Sequence, residues 1–300
     1  MDKYHTPVML AECIEGLAIR PEGTYVDVTF GGGGHSRAIL SRLDKYGRLL
    51  AFDQDADAQQ NVIDDKRFVF IDQNFRYLKN FCRLHHAIPV DGILADLGVS
   101  SYQFDQAERG FSVRFDAELD MRMNRQSPLT AKEVVNSYPE AELHRIFGIY
   151  GEIQNAKSLA NTIVTARLHK QIVTVADLKN VIAQRIPKGK ENKYLAQVFQ
   201  ALRIEVNQEL EALKQFLVQS AEVLESGGRL VVMSYHSLED RLVKNYIGKG
   251  KFSGEVEKDL YGNDNKPFEA VSRGAITASE EEIKNNNRAR SAKLRIAVRK

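Results

Sequence analysis

The sequence predicts an α/β protein in which a doubly wound, mostly parallel sheet is interrupted by an all-helical insertion. Through the first third of the chain, short apolar runs alternate with helical patterns. Those runs are continuously apolar, which is typical of parallel strands buried on both faces. Residues 130–204 contain helical patterns and no convincing strand, so they predict the insertion.

Six apolar runs are predicted to be the strands of the sheet. They are residues 25–30, 48–53, 68–71, 91–97, 229–235 and 294–299. Helices around them are predicted at residues 35–43, 56–63 and 237–247. Ser226, Gly227 and Gly228 are expected to stop the helix before the fifth strand, and residues 252–265 are expected to form a loop.

Helix start signals mark the predicted insertion. Thr130 and Glu133 have the spacing of a capping box, and Thr174 is a candidate N-cap. Helices are predicted at residues 139–147, 158–168 and 175–186. Apolar residues then recur at helical spacing from Leu195 to Leu217, which predicts one long helix or two that break near Asn207.

These elements divide the chain into three parts. Residues 1–104 and 208–300 are predicted to build the sheet domain, and residues 105–207 the inserted helical domain. The last part is expected to carry a basic C-terminal tail, because seven cationic side chains and no acid fall between residues 284 and 300.

Composition excludes several classes of protein. The 300 residues are 43% hydrophobic, which excludes a mainly disordered chain, and 42 Lys and Arg against 40 Asp and Glu leave a net charge of only +2. Cys13 and Cys82 are too few for a disulfide framework, and neither they nor the seven histidines have metal-site spacing. With no membrane-length apolar run and no signal-peptide pattern at the start, we expect a soluble cytoplasmic protein that requires neither membrane nor metal.

Four glycines, residues 31–34, follow the first predicted strand and open a helix. Glycines there let the backbone approach a ligand closely. A dinucleotide fingerprint would need a third glycine where Ser36 stands, and a phosphate-binding Walker loop would need a lysine. Asp27, four positions before Gly31, would repel phosphates and attract an ammonium or sulfonium group. The turn therefore favours S-adenosylmethionine over a nucleotide or a nicotinamide cofactor.

Acidic residues also end two other predicted strands. Asp53 ends the second strand, from which a carboxylate can reach ribose hydroxyls, and Asp96 ends the fourth. Since ligands bind outside the carboxyl ends of parallel strands, Asp27, Asp53 and Asp96 are expected to converge on one crevice. Phe75 follows the third strand and is interpreted either as a cover for a flat base or as a core phenylalanine.

Several motifs in order along the chain carry a family resemblance. They include HTPV at 5–8, TFGGGGHS at 29–36, DGILADLGVSS at 91–101, AERGFS at 107–112, LDMRM at 119–123, FQALRI at 199–204, SYHSLEDR at 234–241 and RARS at 288–291. On these residues the chain resembles the bacterial 16S rRNA (cytosine-N4)-methyltransferase family, which uses S-adenosylmethionine. The resemblance implies a Rossmann-like methyltransferase fold and a helical insertion that serves substrate recognition.

The same resemblance implies a set of site residues. Cofactor contacts are implied at Gly33, Gly34, His35, Asp53, Phe75, Asp96 and Gln103. Asp96, Ser101 and His236 are the candidate catalytic residues, because a poorly nucleophilic cytosine amine needs hydrogen-bond acceptors beside the methyl group. His236 has the alternative of a structural hydrogen bond. Two departures stand out: Tyr235 where the family usually carries Phe, and Asn287 where it usually carries Pro.

The expected partner is small-subunit ribosomal RNA in an assembled or nearly assembled 30S particle. Phosphate contacts are expected from the basic loop with Lys188, Lys190 and Lys193 and from Arg288 and Arg290 in the tail. Tyr235 or Phe111 could stack on the unstacked target base, with packing as the alternative for both. Competing hypotheses are an amino-methyltransferase acting on DNA or protein, and a non-catalytic RNA-binding assembly factor.

Overall fold

The computed structural model describes residues 7–300, apart from the side chain of Ser101. Its sheet has seven strands in the described residues, in the order β3-β2-β1-β4-β5-β7-β6. The strands are β1 Thr24–Asp27, β2 Arg48–Asp53, β3 Phe68–Asp72, β4 Val90–Asp96, β5 Leu224–Ser234, β6 Phe268–Ala270 and β7 Lys293–Arg299. Strands β3, β2, β1, β4 and β5 pair in parallel, and β7 pairs antiparallel with β5 and β6. The predicted mostly parallel α/β sheet is confirmed.

Twelve α-helices occur in the part of the chain that the structure describes. They are α1 Leu10–Leu17, α2 Gly34–Leu40, α3 Leu78–Leu84, α4 Ser101–Asp105, α5 Ala131–Ser137, α6 Glu140–Ile149, α7 Ala156–Arg167, α8 Val175–Ile182, α9 Glu191–Asn207, α10 Glu209–Val223, α11 Ser237–Lys249 and α12 Glu280–Asn285. None of these helices is both long enough and apolar enough to cross a membrane.

The chain forms two compact units, of which the first holds the whole sheet. This sheet unit comprises residues 7–98 and Leu210–Lys300 of the described chain, and the helical unit is Val99–Glu209. Successive side chains of a strand pack in different apolar clusters. In β2, Leu50 and Phe52 pack in one cluster and Leu49 and Ala51 in the other. Helices α3, α10 and α11 contribute to the first cluster and α1 and α2 to the second, so the sheet is covered on both faces.

The helical unit has a core of its own. Apolar faces of α5 to α9 meet there, with Phe147 and Leu202 fully buried. Thr130 and Thr174 form the capping boxes of α5 and α8, as their spacing predicts. Gln208, with a left-handed φ of 51°, separates α9 from α10, which confirms the alternative of two helices broken near Asn207.

One local prediction was wrong, and two predicted helices are partly or wholly of the 3₁₀ type. Ser226, Gly227 and Gly228 do not stop a helix, because α10 ends at Val223 and β5 begins at the next residue. The pairing with β4 shifts between Leu224 and Arg229, so the glycines form a bulge within β5, with φ of 87° at Gly227. The helix predicted at residues 56–63 is a 3₁₀ helix, Ala56–Asn61. The helix predicted at 175–186 is α-helical to Ile182 and continues as a 3₁₀ helix, Ala183–Arg185.

Candidate active site

Three aspartates end three neighbouring strands of the sheet. Asp27 is the last residue of β1, Asp53 of β2 and Asp96 of β4, and β1 lies between the other two. Because the strands are parallel, their carboxyl ends lie at one edge of the sheet. The charge of Asp27 raises the pKa of both other carboxyls, in addition to the larger effect of burial. The edge therefore concentrates negative charge.

The glycine turn between β1 and α2 is held by polar side chains around it. The Gly31 N–H donates to Asp53 Oδ2 at 2.8 Å, and the Asn61 amide donates to Gly31 O at 3.0 Å. Arg37 donates to Gly32 O at 2.7 Å. At Gly33, φ is 75° and a Cβ would lie 2.6 Å from Arg37 Nη1, so any other residue would strain the backbone and displace the Arg37 side chain. The turn offers backbone, not side chains, to a ligand.

Asp27 and Ser36 are the two residues that set this turn apart from a nucleotide-binding one, and they contact each other. The Ser36 hydroxyl donates to Asp27 Oδ2 at 2.7 Å, and the Thr29 N–H donates to Asp27 Oδ1 at 3.1 Å. Asp27 is buried, and burial raises its pKa. Asp27 thus fixes the start of α2 against the end of β1 and adds negative charge below the turn.

Asp53 joins the glycine turn to the residues after β2. Its Oδ1 accepts from the Asp55 N–H at 2.9 Å, and its Oδ2 accepts from the Gly31 N–H. Burial raises the pKa of Asp53 to about 6 despite these two hydrogen bonds. A carboxylate has about four lone-pair sites, so the group retains capacity for ribose hydroxyls.

Asp96 lies between three polar neighbours. Its Oδ1 accepts from the Tyr235 hydroxyl at 2.7 Å, and its N–H donates to Thr29 Oγ1 at 2.7 Å. Its Oδ2 is 3.9 Å from His35 Nδ1. His35 Nε2 is 3.3 Å from Val8 O, which only accepts, so a neutral His35 ring carries its proton on Nε2 and leaves Nδ1 as an acceptor. Burial raises the pKa of Asp96 to about 6.

Pro7 and Val8 cover the start of α2, a role that sequence reasoning missed. A Cβ on Gly34 would lie 2.2 Å from Pro7 Cγ, so the approach of Pro7 requires glycine at that position. Val8 supplies the carbonyl that orients His35. The HTPV motif was the available signal, but its spacing alone assigns no contact; His5 and Thr6 lie outside the described residues.

Phe75 begins a 3₁₀ helix, Phe75–Tyr77, directly after β3. Its ring is half-buried and packs edge-on against the Phe216 ring, with centroids 5.6 Å apart. The core interpretation is therefore correct for part of the ring. Its use as a cover for an adenine base stays a prediction.

His236 stands at the N-terminal end of α11, where Glu239 performs the capping. Glu239 Oε2 accepts from the N–H groups of Tyr235 at 2.9 Å and His236 at 3.4 Å. His236 Nε2 is 3.2 Å from Glu239 Oε1, and neither ring nitrogen has a hydrogen bond of good geometry in the described residues. A catalytic role for His236 stays a prediction.

The remaining predicted residues belong to the helical unit and are described within it. Ser101 begins α4, but its side chain lies outside the described residues. Gln103 is buried and forms a capping box with Ser100, whose N–H donates to Gln103 Oε1 at 3.0 Å. Phe111 is buried in the helical core, which supports its packing interpretation. The side chains of the predicted basic loop are all exposed: Lys188, Lys190 and Lys193.

The basic C-terminal segment is more ordered than a tail. Arg295 donates to Asp240 Oδ1 at 2.7 Å, and Arg299 donates to the carbonyls of Ala221 and Pro267, all within the sheet unit. These two arginines are therefore used in the fold of β7. Arg288 and Arg290 lie on a 3₁₀ helix, Asn287–Ser291, where Arg290 is exposed.

Comparison with known proteins decides the family. The model of the MraW methylase family matches residues 2–300. The chain belongs to the MraW methylase family. It is 59% identical over 298 residues to a protein of Cytophaga hutchinsonii named "Ribosomal RNA small subunit methyltransferase H", covering 99% of each chain. Proteins with the same name from Christiangramia forsetii and Bacteroides thetaiotaomicron are 58% and 55% identical, over 98% and 99% of this chain and 97% and 98% of theirs.

The strand ends of this MraW-family chain fit S-adenosylmethionine. Among the described residues, no Lys or Arg side chain pairs with Asp27, Asp53 or Asp96. Burial raises the pKa of each carboxyl, and for Asp27 and Asp96 it outweighs the lowering effect of His35, so an added positive charge would stabilise the three ionised forms. A ligand with an ammonium and a sulfonium group supplies that charge, whereas a phosphate would add to the repulsion.

Proposed function

We propose that the protein transfers a methyl group from S-adenosylmethionine to the N4 amine of a cytidine in small-subunit ribosomal RNA. The observation that carries the proposal is the carboxylate edge beneath the glycine turn, in which Asp27 is buried, Asp53 and Asp96 are half-buried, and no acid has a Lys or Arg partner among the described residues. Membership of the MraW methylase family supports it, as do relatives named ribosomal RNA small subunit methyltransferase H.

The cofactor contacts proposed here are those of the sheet unit. Gly33 and Gly34 admit the ligand close to the backbone, and Asp53 accepts from the ribose hydroxyls. His35 Nδ1 and Asp96 Oδ2 offer two acceptors to N–H groups. Phe75 contributes the exposed part of its ring to the base.

The proposed reaction needs no strong general base. S-adenosylmethionine, when bound, supplies an electrophilic methyl carbon on a positively charged sulfur. With it bound, the cytosine amine would form the new N–C bond with its electron pair as the S–C bond breaks, S-adenosylhomocysteine would be the neutral leaving group, and the proton of the methylated amine would pass to water. Asp96 and the turn from Leu97 to Ser101 orient the amine by accepting from its N–H groups, which exposes the lone pair to the methyl carbon.

The RNA is bound through phosphate contacts of cationic side chains, all of them exposed except the half-buried Arg288. Lys188, Lys190 and Lys193 in the helical unit and Arg288 and Arg290 in the sheet unit are the residues proposed. The target cytosine must unstack from its neighbouring bases to reach the methyl-transfer site. The substrate is proposed to be an assembled or nearly assembled 30S particle in the cytoplasm.

Methyl transfer from radiolabelled S-adenosylmethionine tests the proposal. The purified protein is offered 30S particles, naked 16S RNA, DNA and total protein, and labelled RNA is digested to nucleosides for mass spectrometry. We expect label in N4-methylated cytidine, with 30S particles as the preferred acceptor. Label in DNA or protein but not in ribosomal RNA would identify a different amino-methyltransferase. Absence of S-adenosylmethionine binding in calorimetry would favour a non-catalytic assembly factor.

A further inference from the structure

The hydroxyl of Tyr235 is a feature of this chain that the proposed chemistry has not yet used. Tyr235 follows the last residue of β5, and β5 lies beside β4, with Met233 opposite Asp96. The hydroxyl donates to Asp96 Oδ1 at 2.7 Å. This hydrogen bond links the residue after β5 to the last residue of β4.

Several titratable groups face Asp96 from the surrounding elements. They are Cys13 of α1, Asp27 of β1, His35 of α2, Tyr235 after β5 and Glu239 of α11. Asp27 and Glu239 oppose ionisation of Asp96 because their own charges are negative. Among the described residues, Tyr235 supplies the side-chain hydroxyl that donates to a carboxylate oxygen of Asp96. It is thus placed to offset the two acids.

We propose that Tyr235 is a positioning residue, which fixes the Asp96 carboxylate in one orientation and favours its charged form. With Oδ1 held by the hydroxyl, Oδ2 is the oxygen left to face a ligand, on the side of His35. A phenylalanine would keep the ring and remove only this donor. Hydrogen bonding to the charged form lowers the pKa of a carboxyl, so the substitution raises the pKa of Asp96 above its present value of about 6. The inference rests on the proposed function, because it assigns Asp96 to the cofactor site.

Tyr235→Phe separates this role from stacking on the target base, since an aromatic ring stacks equally well without its hydroxyl. A matched control is Tyr246→Phe, which removes a tyrosine hydroxyl elsewhere in the sheet unit. The Tyr246 ring stacks on Phe252, with centroids 5.1 Å apart, and lies on α11 away from the strand ends.

The first measurement is the titration of Asp96 in the ligand-free protein. Carboxyl-labelled aspartate is followed by carbon NMR, and the Asp96 signal is identified by its loss in Asp96→Asn. We expect the pKa of Asp96 to rise by about one pH unit in Tyr235→Phe. It should remain at the wild-type value in Tyr246→Phe. An unchanged pKa in Tyr235→Phe would overturn the proposal.

The second measurement is the dissociation constant for S-adenosylmethionine by calorimetry. A shift of one unit predicts that Tyr235→Phe binds about eightfold more weakly than wild type at about pH 5.5, about twofold at about pH 7 and equally at about pH 8.5. A ratio that does not vary with pH would mean a structural defect alone and would also overturn the proposal. Methyl transfer by the wild type at about pH 8.5 tests the proposed function separately. If that transfer fails while the NMR shift occurs, the function is wrong and the Tyr235–Asp96 coupling stands.

Discussion

The carboxylates of the helical unit and those at the strand ends of the sheet unit differ in how the fold compensates their charge. In the helical unit, hydrogen bonds from Arg122 at 2.7 and 2.9 Å outweigh the effect of burial and lower the pKa of Asp120. The Thr130 hydroxyl lowers the pKa of Glu133. At the strand ends of the sheet unit, burial instead raises the pKa values of Asp53 and Asp96 to about 6. Acids that the fold itself has paired stabilise structure, whereas acids left without a cation are suited to a cationic ligand.

The helical unit also pairs its buried cation, Arg109, with groups of its own. Arg109 is almost fully buried, and its Nη2 donates to the carbonyls of Arg122 and Met123 at 2.9 and 3.2 Å. Its positive charge also lowers the pKa of Asp120. The AERGFS and LDMRM motifs therefore meet in a structural network, although sequence alone grouped them with the functional motifs.

The largest effect expected from this contrast is that of Asp96→Asn. The substitution removes the negative charge of a carboxylate that accepts hydrogen bonds from N–H groups of the ligand, and it should weaken S-adenosylmethionine binding by about 10- to 100-fold. The sheet unit should remain folded, because the variant has one charge fewer to bury. The matched control, Asp120→Asn in the helical unit, should lower the free energy of unfolding by about 1–2 kcal/mol and leave cofactor affinity unchanged. Calorimetry and denaturant titration measure both. Equal effects of the two variants on cofactor affinity would contradict the distinction between the strand-end carboxylates and the paired carboxylates of the helical unit.

The next effect concerns RNA. Replacing Lys188, Lys190 and Lys193 by Gln should weaken binding to 30S particles by about tenfold and reduce the salt dependence of log K by about one for each lost phosphate contact. Cofactor affinity should not change. Filter binding at several salt concentrations gives both values. A salt dependence identical to that of wild type would show that these lysines make no phosphate contact.

A smaller effect is the coupling of cofactor binding to protons. The folded-state pKa values of Asp53 and Asp96 lie above their usual range, and a cationic ligand favours the ionised forms. Affinity should therefore be greatest above about pH 6 and fall as pH decreases through that value, with protons released on binding near it. Calorimetry in buffers of different ionisation enthalpy counts these protons. Proton uptake near pH 6 would contradict the assigned sign.

The smallest effect belongs to a helix cap. Thr130→Ala removes the side chain that accepts from the Glu133 N–H at 3.2 Å, and the helical unit should lose about 1 kcal/mol of stability. Thermal unfolding measures that loss. S-adenosylmethionine affinity should be unchanged, and a weaker affinity would show that the cap contributes to the cofactor site.

Much of the fold could be predicted because its signals are local. The bounds of β2, Arg48–Asp53, follow directly from an apolar run between polar residues. Strand β6 was missed because Phe268–Ala270 has three residues and no period to detect. Ser226–Gly228 was misinterpreted because glycine suits a bulge as well as a helix end, and only the pairing of β5 with β4 distinguishes them.

In the candidate site, too, some features could be predicted from the sequence and others could not. The convergence of the three aspartates could be predicted, since parallel strands share an edge, but Asp53 alone was the last residue of its predicted strand. The structure ends β1 at Asp27 and β4 at Asp96, inside the predicted runs 25–30 and 91–97. The partners of those aspartates could not be predicted, because Ser36 and Asp27, or Tyr235 and Asp96, meet only through the fold. The use of the basic segment at residues 284–300 could not be predicted either, because sequence counts the charge of Arg295 but cannot show that Asp240 pairs with it. Its RNA contacts stay a prediction.

The central claim is that the strand-end carboxylates hold a positively charged methyl donor. A crystal structure of the protein with S-adenosylmethionine tests it most directly. The account predicts density beyond β1, β2 and β4, with the ribose at Asp53 and the methionine part beside Asp96 and His35. Density for the donor at another place, or a phosphate-bearing compound bound among the three aspartates, would contradict it.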